Sequence, residues 1–407
     1  MLTYQYTARD PSTGKKVTAN VQADSEAAAS KLIQKEGLAP IEVKVLAEGG
    51  NNPLGRFLHR VKTKDRIIFS RQMSTLINAG LPLVQSLRNV ESQTQNKAFK
   101  VVIGDIISNI ESGKAFSVAL SKHPKIFNEV YISLIASGEA SGTLDKALER
   151  IANQQEKDAE VLSKVRGAMA YPAIVILVMF VVIGFMIVKV MPQVETIYSD
   201  LPGATLPLLT RALLAISHFV TTFWWVILGL FIFLGFAVTR YARTGPGKEI
   251  VDRFKMTAWP VGPLFMKLYM ARFARTGTTL VASGVPLIQM LEIVAKAINN
   301  VHIERSIKKA TEKVKGGKSI ANALEGDPNF LQLVPNMLKI GEDSGSLEEM
   351  LAKTADYYEK EVDNQIKTIS TIIEPVLMVV LGVVAFIIVA AVLLPIYGLA
   401  GQNLSGA

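Results

Sequence analysis

One stretch of this chain occurs twice. Phe69 to Val84 reads FSRQMSTLINAGLPLV, and Phe273 to Ile288, 204 residues later, reads FARTGTTLVASGVPLI. GKAFSVAL from Gly113 matches GKSIANAL from Gly317, and Pro124 matches Pro328. One residue is then lost: SGEASGTL from Ser137 matches IGEDSGSL from Ile340 at a spacing of 203. That register reaches Pro172 and Pro375, each at the mouth of an apolar run. A sequence repeated at fixed spacing must fold the same way twice. Two copies that both lead into apolar runs predict a duplicated domain tied to a bilayer, with binding rather than chemistry as its work.

Three windows carry the apolar excess. Ala173 to Val188, Phe219 to Val238 and Val376 to Tyr397 hold no Asp, Glu, Lys, Arg or His, in a chain of mean hydropathy +0.30. A spanning helix needs roughly 20 mostly apolar residues. The second and third windows meet this directly. The first meets it when Tyr171 to Met191 is counted, with Lys189 reaching toward the headgroups. No signal peptide is visible, so the chain is expected to stay in the membrane uncleaved. The link Pro192 to His218 holds one basic residue, Arg211, and the tail after Tyr397 holds none. Nearly all of the 44 Lys and Arg lie before Tyr171 or between Thr239 and Glu374, which predicts that those parts are cytoplasmic.

The net charge of +9 follows from that bias and from attraction to anionic lipid. Acids are scattered among the bases and no basic run is interleaved with aromatics, so nucleic acid is not expected as a partner. With no cysteine there is no thiol catalysis and no Cys-ligated zinc. The four histidines lie far apart, and no HExxH or nucleophile elbow is present. The spans lack the acids that an intramembrane aspartyl protease or a proton-coupled transporter would need.

The reading is mainly α: a polytopic membrane protein with two homologous cytoplasmic helical-bundle repeats, three transmembrane helices and a small N-terminal α+β domain. Residues 1–47 form the small domain, with a hairpin (LTYQYTAR, the turn DPSTG, KKVTANVQA), a helix capped by Asp24 or Ser25, and a third strand IEVKV. Residues 48–63 are a linker, overlapping the Gly/Asn/Pro-rich stretch Leu46 to Gly55. Repeat 1 covers 64–170, the first span 171–191, an external loop 192–216 and the second span 217–238. A connector covers 239–266, repeat 2 covers 267–372, the third span 373–397 and an external tail 398–407. Each repeat is expected to form about six helices. Ile68, Phe69, Gln72, Met73, Leu76 and Ile77 give the first apolar stripe of repeat 1.

Three doublets and one single pair hold the candidate site residues. In AGLPL and SGVPL, Gly80 and Gly284 end a helix as left-handed caps, and Pro82 and Pro286 open the next in its first turn. A tight corner explains them, and a partner contact at the corner is the alternative. Gly113 and Gly317 close the next helices; GGKSI lacks the earlier glycine and the strand of a P-loop. GEASG (Gly138, Glu139, Gly142) and GEDSG (Gly341, Glu342, Asp343, Gly345) read as loops with free backbone N–H groups. Their carboxylates could cap a helix, meet a partner's Arg or hold a divalent cation; Glu139, Glu342 and Asp343 are the only metal candidates. Ser346 and Glu349 read as a capping box, of which repeat 1 keeps only the Thr143 hydroxyl. Glu374–Pro375 stands at the mouth of the third span, where a carboxylate is costly and suits subunit packing or coupling unless it reaches headgroups or caps the helix.

Together these residues resemble the inner-membrane platform family of type II secretion systems and type IV pilus assembly machines. The resemblance rests on the two phenylalanine-led helices ending in AGxPL, the SGK/GGK corner, the GExSGxL motif, the EP before the last span and the leading segment YTARDPSTGK…ADSEAAASKLIQKEGL. It implies a non-catalytic plasma-membrane protein without cofactors. The partners it implies are a hexameric secretion or assembly ATPase, pilins or pseudopilins, other inner-membrane assembly proteins and further copies of the chain. Tyr171 stands where the third span has Glu374, so any shared carboxylate role rests on Glu374 alone. The alternative classes are a transporter or channel subunit, and a receptor, for which the outward segments are too short.

Overall fold

The computed structural model describes residues 2–9, 16–23, 26–35, 37–45, 61–199 and 208–404. The DPSTG turn, the Asp24 or Ser25 cap and the Leu46 to Gly55 linker lie outside those residues. In the N-terminal unit, β1 (Leu2–Arg9) pairs antiparallel with β2 (Lys16–Ala23), from Leu2↔Ala23 to Arg9↔Lys16. α1 (Glu26–Lys35) follows, and β3 (Ala39–Val45) adds to the other edge of β1, giving the order β2-β1-β3. The register shifts between Thr7 and Ala8. Alternation puts Tyr6 and Ala8 on one face, where they are buried with Ile33 of α1 and packed by Val21, Leu38 and Val43.

Repeat 1 follows as α2 (Thr63–Asn78), α3 (Leu83–Gln93), α4 (Lys97–Glu111), α5 (Phe116–Ser121), α6 (Glu129–Ser141) and α7 (Leu144–Phe185). A π-helical turn at Met186–Val190 leads to α8 (Met191–Ser199); then come α9 (Leu208–Tyr241) and α10 (Gly245–Thr257). Repeat 2 is α11 (Gly262–Ala282), α12 (Leu287–Ala297), α13 (Val301–Lys315), α14 (Ile320–Leu324), α15 (Leu333–Ser344) and α16 (Leu347–Leu404). Six helices of one copy match six of the other.

The structure also locates the lost residue. Phe69 packs on Phe127 with ring centroids 5.8 Å apart, and Phe273 packs on Phe330 at 5.3 Å. The prolines before them, Pro124 and Pro328, still obey the 204 spacing, whereas Phe127 and Phe330 obey 203. The deletion therefore falls in the short turn between proline and phenylalanine, where chain length can change without moving the core pair.

Several local expectations are corrected. Ile68, placed in the buried stripe, is 45% exposed, while Phe69 and Met73 are buried. Pro82 and Pro286 stand just before the helices rather than in their first turns. Pro286 has an extended ψ of 142°, and its carbonyl accepts the first helical bond from the Met290 N–H at 2.9 Å. The link between the first two spans is helical on both sides. Met191, Val194 and Leu214 are buried there, packed by Val392 of α16, which favours helix over loop. The connector is likewise an added helix of repeat 2: Asp252 accepts from the Val301 N–H at 3.0 Å, and Arg305 pairs with Glu249 at 3.0 Å.

Among the described residues, three helices are long and apolar enough to cross a membrane. Two of them grow directly out of the repeats. α7 is 42 residues long and passes through Pro172 without a break. α16 is 58 residues long, which at 1.5 Å per residue gives a rod of about 87 Å. The two rods meet before their apolar windows. Val161, Val165 and Ala168 of α7, together with Ile373, pack against a buried cluster of Val362, Ile366 and Ile369 of α16 and Leu264 of α11. Steps of four and three are the heptad seam of a left-handed helix pair. Lys164 bridges to Asp363 across it at 2.7 Å.

Candidate functional site

The GExSG motifs are helix ends, not loops. Gly138 and Glu139 lie in the last turn of α6, and Gly142 turns the chain with a left-handed φ of 70°. The Thr143 N–H reaches back to the Gly138 carbonyl at 2.8 Å and the Gly142 N–H to that of Glu139 at 3.4 Å, as in a Schellman cap. Gly341, Glu342 and Gly345 repeat this at the end of α15, with φ 68° at Gly345. Gly138 is there for closeness: a Cβ on it would lie 2.7 Å from the Ala147 Cβ of the returning helix. One on Gly341 would lie 3.0 Å from the Leu347 Cα.

Both glutamates are clamps. Glu139 Oε1 accepts from the Phe116 N–H at 2.5 Å, and Oε2 from the Ser117 N–H at 2.9 Å. Glu342 takes the Ile320 and Ala321 N–H groups at 2.6 and 3.0 Å. The start of a helix leaves N–H groups unpaired and carries partial positive charge. Here the chain's own carboxylate fills that place, just after the left-handed corners at Gly113 and Gly317. The expected hydroxyl caps do not form. Thr143 makes no side-chain cap, and its hydroxyl lies 2.7 Å from that of Ser141. Ser346 lies 2.6 Å from the Ser344 hydroxyl, and Glu349 pairs with Lys353 instead of closing a capping box. Adjacent hydroxyls take each other where the motif places two of them two residues apart.

A second brace, not singled out in the sequence, also occurs twice. The Arg71 guanidinium grips Glu156 at 2.7 and 2.5 Å and Asn153 at 2.7 Å. Arg275 grips Glu359 at 2.7 Å and Asp356 at 2.5 Å. The hydrogen bond to Arg71 holds the Glu156 carboxyl below the ordinary glutamate value. Burial works against the charge on Arg275, yet Glu359 and Asp356 hold it above the ordinary value. The readable signal was an arginine kept at the same place in FSRQ and FART.

Besides the contact between the rods, the repeats touch along a second seam. The Ser137 hydroxyl donates to the Ser283 carbonyl at the SGVPL corner, next to Gly284. Arg150 donates to the Ser283 hydroxyl at 3.0 Å, and Gln154 to that of Thr276 at 3.0 Å. Lys296 pairs with Glu129 at 2.9 Å. The structure thus brings the Gly284–Pro286 corner onto the helix that carries Gly138 and Glu139. The Gly80–Pro82 corner is exposed at Gly80 and Pro82. Asp343 is exposed and, among the described residues, no group of three or more His, Asp or Glu could hold a metal. Glu374 and Pro375 are exposed on α16, about 40 Å along the rod from its start, and join neither cluster.

Duplicated, internally clamped bundles whose final helices run on into apolar spans define a membrane-anchored scaffold. The family described as "Type II secretion system (T2SS), protein F" matches residues 69–192 and again 273–395, and its N-terminal domain matches 1–44. Among similar proteins is the type IV pilus assembly protein PilC of Thermus thermophilus, 37% identical over 98% of this chain and 99% of its own length. PilC of Myxococcus xanthus is 38% identical over 93% and 90%. The type II secretion system protein F of Pseudomonas aeruginosa is 32% identical over 98% and 99%. The chain belongs to this family of secretion and type IV pilus platform proteins. It is a multi-pass inner-membrane protein with a role in pilus assembly or secretion.

Proposed function

We propose that this chain is the non-catalytic platform of a type IV pilus machine, passing movement from a hexameric cytoplasmic ATPase to pilins in the bilayer. The observation that carries this is the continuity of α7 and α16. Each helix runs on through the proline at the mouth of its span, so a displacement of a bundle is passed along a continuous helix into the membrane. The seam and the Lys164–Asp363 bridge make the two rods respond together. The distribution of Lys and Arg supports repeats and N-terminus inside and the tail outside. Because Glu139 and Glu342 hold their own repeats together, charge reversal there disturbs the fold as well as any ATPase contact.

Identity to the PilC relatives, 37% and 38%, against 32% to the secretion relative supports the pilus reading. Secretion is the second reading, supported by the full-length match to protein F. Deletion of the gene, scored for surface filaments by electron microscopy and for secreted proteins in the medium, separates them. Lost filaments with an intact secretome are expected; intact filaments with missing secreted proteins would replace the pilus reading with the secretion one. Co-purification of the ATPase with the solubilised chain tests the coupling, and its absence under conditions that retain pilin would remove it.

A further inference from the structure

We infer that α10 is an in-plane membrane anchor, lying on the bilayer surface with one apolar face at the headgroup boundary and its basic residues on anionic lipid. Both of its ends stand at the mouth of a span. At the start, the second charge-free window ends at Val238 and α9 ends at Tyr241, four residues before Gly245 opens α10. Thr244 makes the corner: its hydroxyl donates to the Tyr241 carbonyl at 2.7 Å and accepts from the Gly247 N–H at 3.3 Å. A Cβ on Gly247 would overlap the Tyr241 carbonyl, so the first turn of α10 is pressed against the last turn of the span. At the other end, Gly262 opens α11, which runs antiparallel to α16. Arg275 bonds Asp356 and Glu359, Lys267 bonds Glu361 at 2.8 Å and Gln365 at 3.0 Å, and Leu264 shares a buried cluster with Ile366 and Ile369. The residues before Leu264 thus stand beside the last turns of α16 ahead of Glu374–Pro375. A helix of 13 residues is about 20 Å long. Tied at both ends to span mouths, it runs along the membrane rather than away from it.

Its two faces carry the reverse of the pattern that water selects. The acidic residues face the protein. Asp252 is buried on the Val301 N–H, and Glu249 pairs with Arg305 while its carbonyl meets the His302 ring at 3.0 Å. The large apolar residues face out. Ile250 is 59% exposed and Phe254, one turn on, is 69% exposed, with exposed Arg253 and Thr257 on the same face. Trp259, 77% exposed, follows in the turn to α11. Glu249 and Asp252 are the only acids from Thr239 to Gly262, against Arg240, Arg243, Lys248, Arg253 and Lys255. Arg240, Arg243 and Arg253 are exposed. An outward apolar patch on a basic helix suits a surface that is apolar within and anionic at its rim, which is a bilayer. Ile250, Phe254 and Trp259 reach the headgroup boundary, where tryptophan is favoured, and Arg253 extends to lipid phosphate. Because α10 is bonded to the start of α13, the anchor holds repeat 2 at a fixed height above the membrane. This goes beyond the proposed platform role and needs neither the ATPase nor the pilin contact.

The chain has no cysteine, so a single introduced thiol can carry an NBD fluorophore without background. Full-length chains labelled at Ile250→Cys or Phe254→Cys are reconstituted into phosphatidylethanolamine vesicles, with or without phosphatidylglycerol, doped with nitroxide-bearing lipid. Leu228→Cys, in the second span, reports insertion. Asp343→Cys, exposed just before the start of α16, gives the level for a site away from the membrane. Blue-shifted emission and several-fold stronger nitroxide quenching are expected at Ile250→Cys and Phe254→Cys than at Asp343→Cys. The quenching should fall when phosphatidylglycerol is left out, or when Arg240, Arg243 and Arg253 are changed to Gln. Quenching at both positions no greater than at Asp343→Cys, while Leu228→Cys is quenched, would overturn the anchor. Blue-shifted emission without quenching would overturn it in favour of a protein covering that face. Quenching indifferent to phosphatidylglycerol and to the arginines would overturn the contact with anionic lipid. Each of these failures leaves the platform reading standing, because the vesicles hold neither ATPase nor pilin.

Discussion

Glu139 and Glu342 show how much one side chain can fix. Each uses both oxygens to hold the first free N–H groups of a short helix more than twenty residues away in sequence. Glu139→Gln retains one acceptor oxygen and loses the charge, so it should destabilise repeat 1 by about 1–2 kcal/mol, with Glu342→Gln doing the same in repeat 2. Thermal unfolding of solubilised protein by circular dichroism measures this; unchanged midpoints in both variants would mean the clamps contribute nothing. Gly138→Ala tests a different cause, since its new methyl meets Ala147 and should cost about 1–3 kcal/mol. The Arg71–Glu156 pair is part exposed, with side chains 38% and 43% accessible, so a double-mutant cycle should return only about 0.5–1 kcal/mol at pH 7. The folded Glu156 pKa is lowered, so this contribution is present above the ordinary value of 4.5 and is lost as pH falls through the folded value. A cycle energy that persisted unchanged at pH 2 would contradict the ionic account.

At the scale of elements, the rods decide what the bundles can do to the membrane. Arg166 and Lys367 are exposed on α7 and α16, between the bundles and the apolar windows. Arg166→Pro or Lys367→Pro removes a helical bond and kinks the rod, at a local cost of about 3 kcal/mol. The spans should still insert, while filaments or secretion should be lost; Arg166→Ala and Lys367→Ala should stay active. Membrane fractionation together with electron microscopy checks both halves. A proline variant with normal assembly would show that continuity is not needed. Sequence periodicity had led to each rod, because the last helix of each copy points at an apolar run. It could not show that the rods touch, since the Val161–Ala168 and Val362–Ile373 stripes lie two hundred residues apart.

At the scale of the whole molecule, the distribution of basic residues predicts a topology that reporters can test. A reporter fused after the C-terminus should be active only outside the membrane, and one at the N-terminus only inside. Adding four or five lysines to the link around Arg211 should retain that link on the inside and abolish assembly. Matching reporter signals from both termini would refute the three-span topology.

The repeat, its 204 and 203 spacings, the three apolar windows and the left-handed glycines at 80 and 284 were legible in the sequence, because each is a local or periodic property. Such properties depend on backbone sterics and on apolar transfer, which act wherever a residue sits. The uses of Glu139, Glu342, Arg71 and Arg275 were not legible in this way. Sequence left the glutamates open between cap, partner and metal, and passed over the arginines. A carboxylate at a helix end bonds whatever donor the tertiary fold brings within 3 Å, and that donor can lie anywhere in the chain. The one-sidedness of the seam had the same origin. Identical spacing makes the two copies look interchangeable, and only packing determined that Ser137 is covered while its counterpart Ile340 faces solvent.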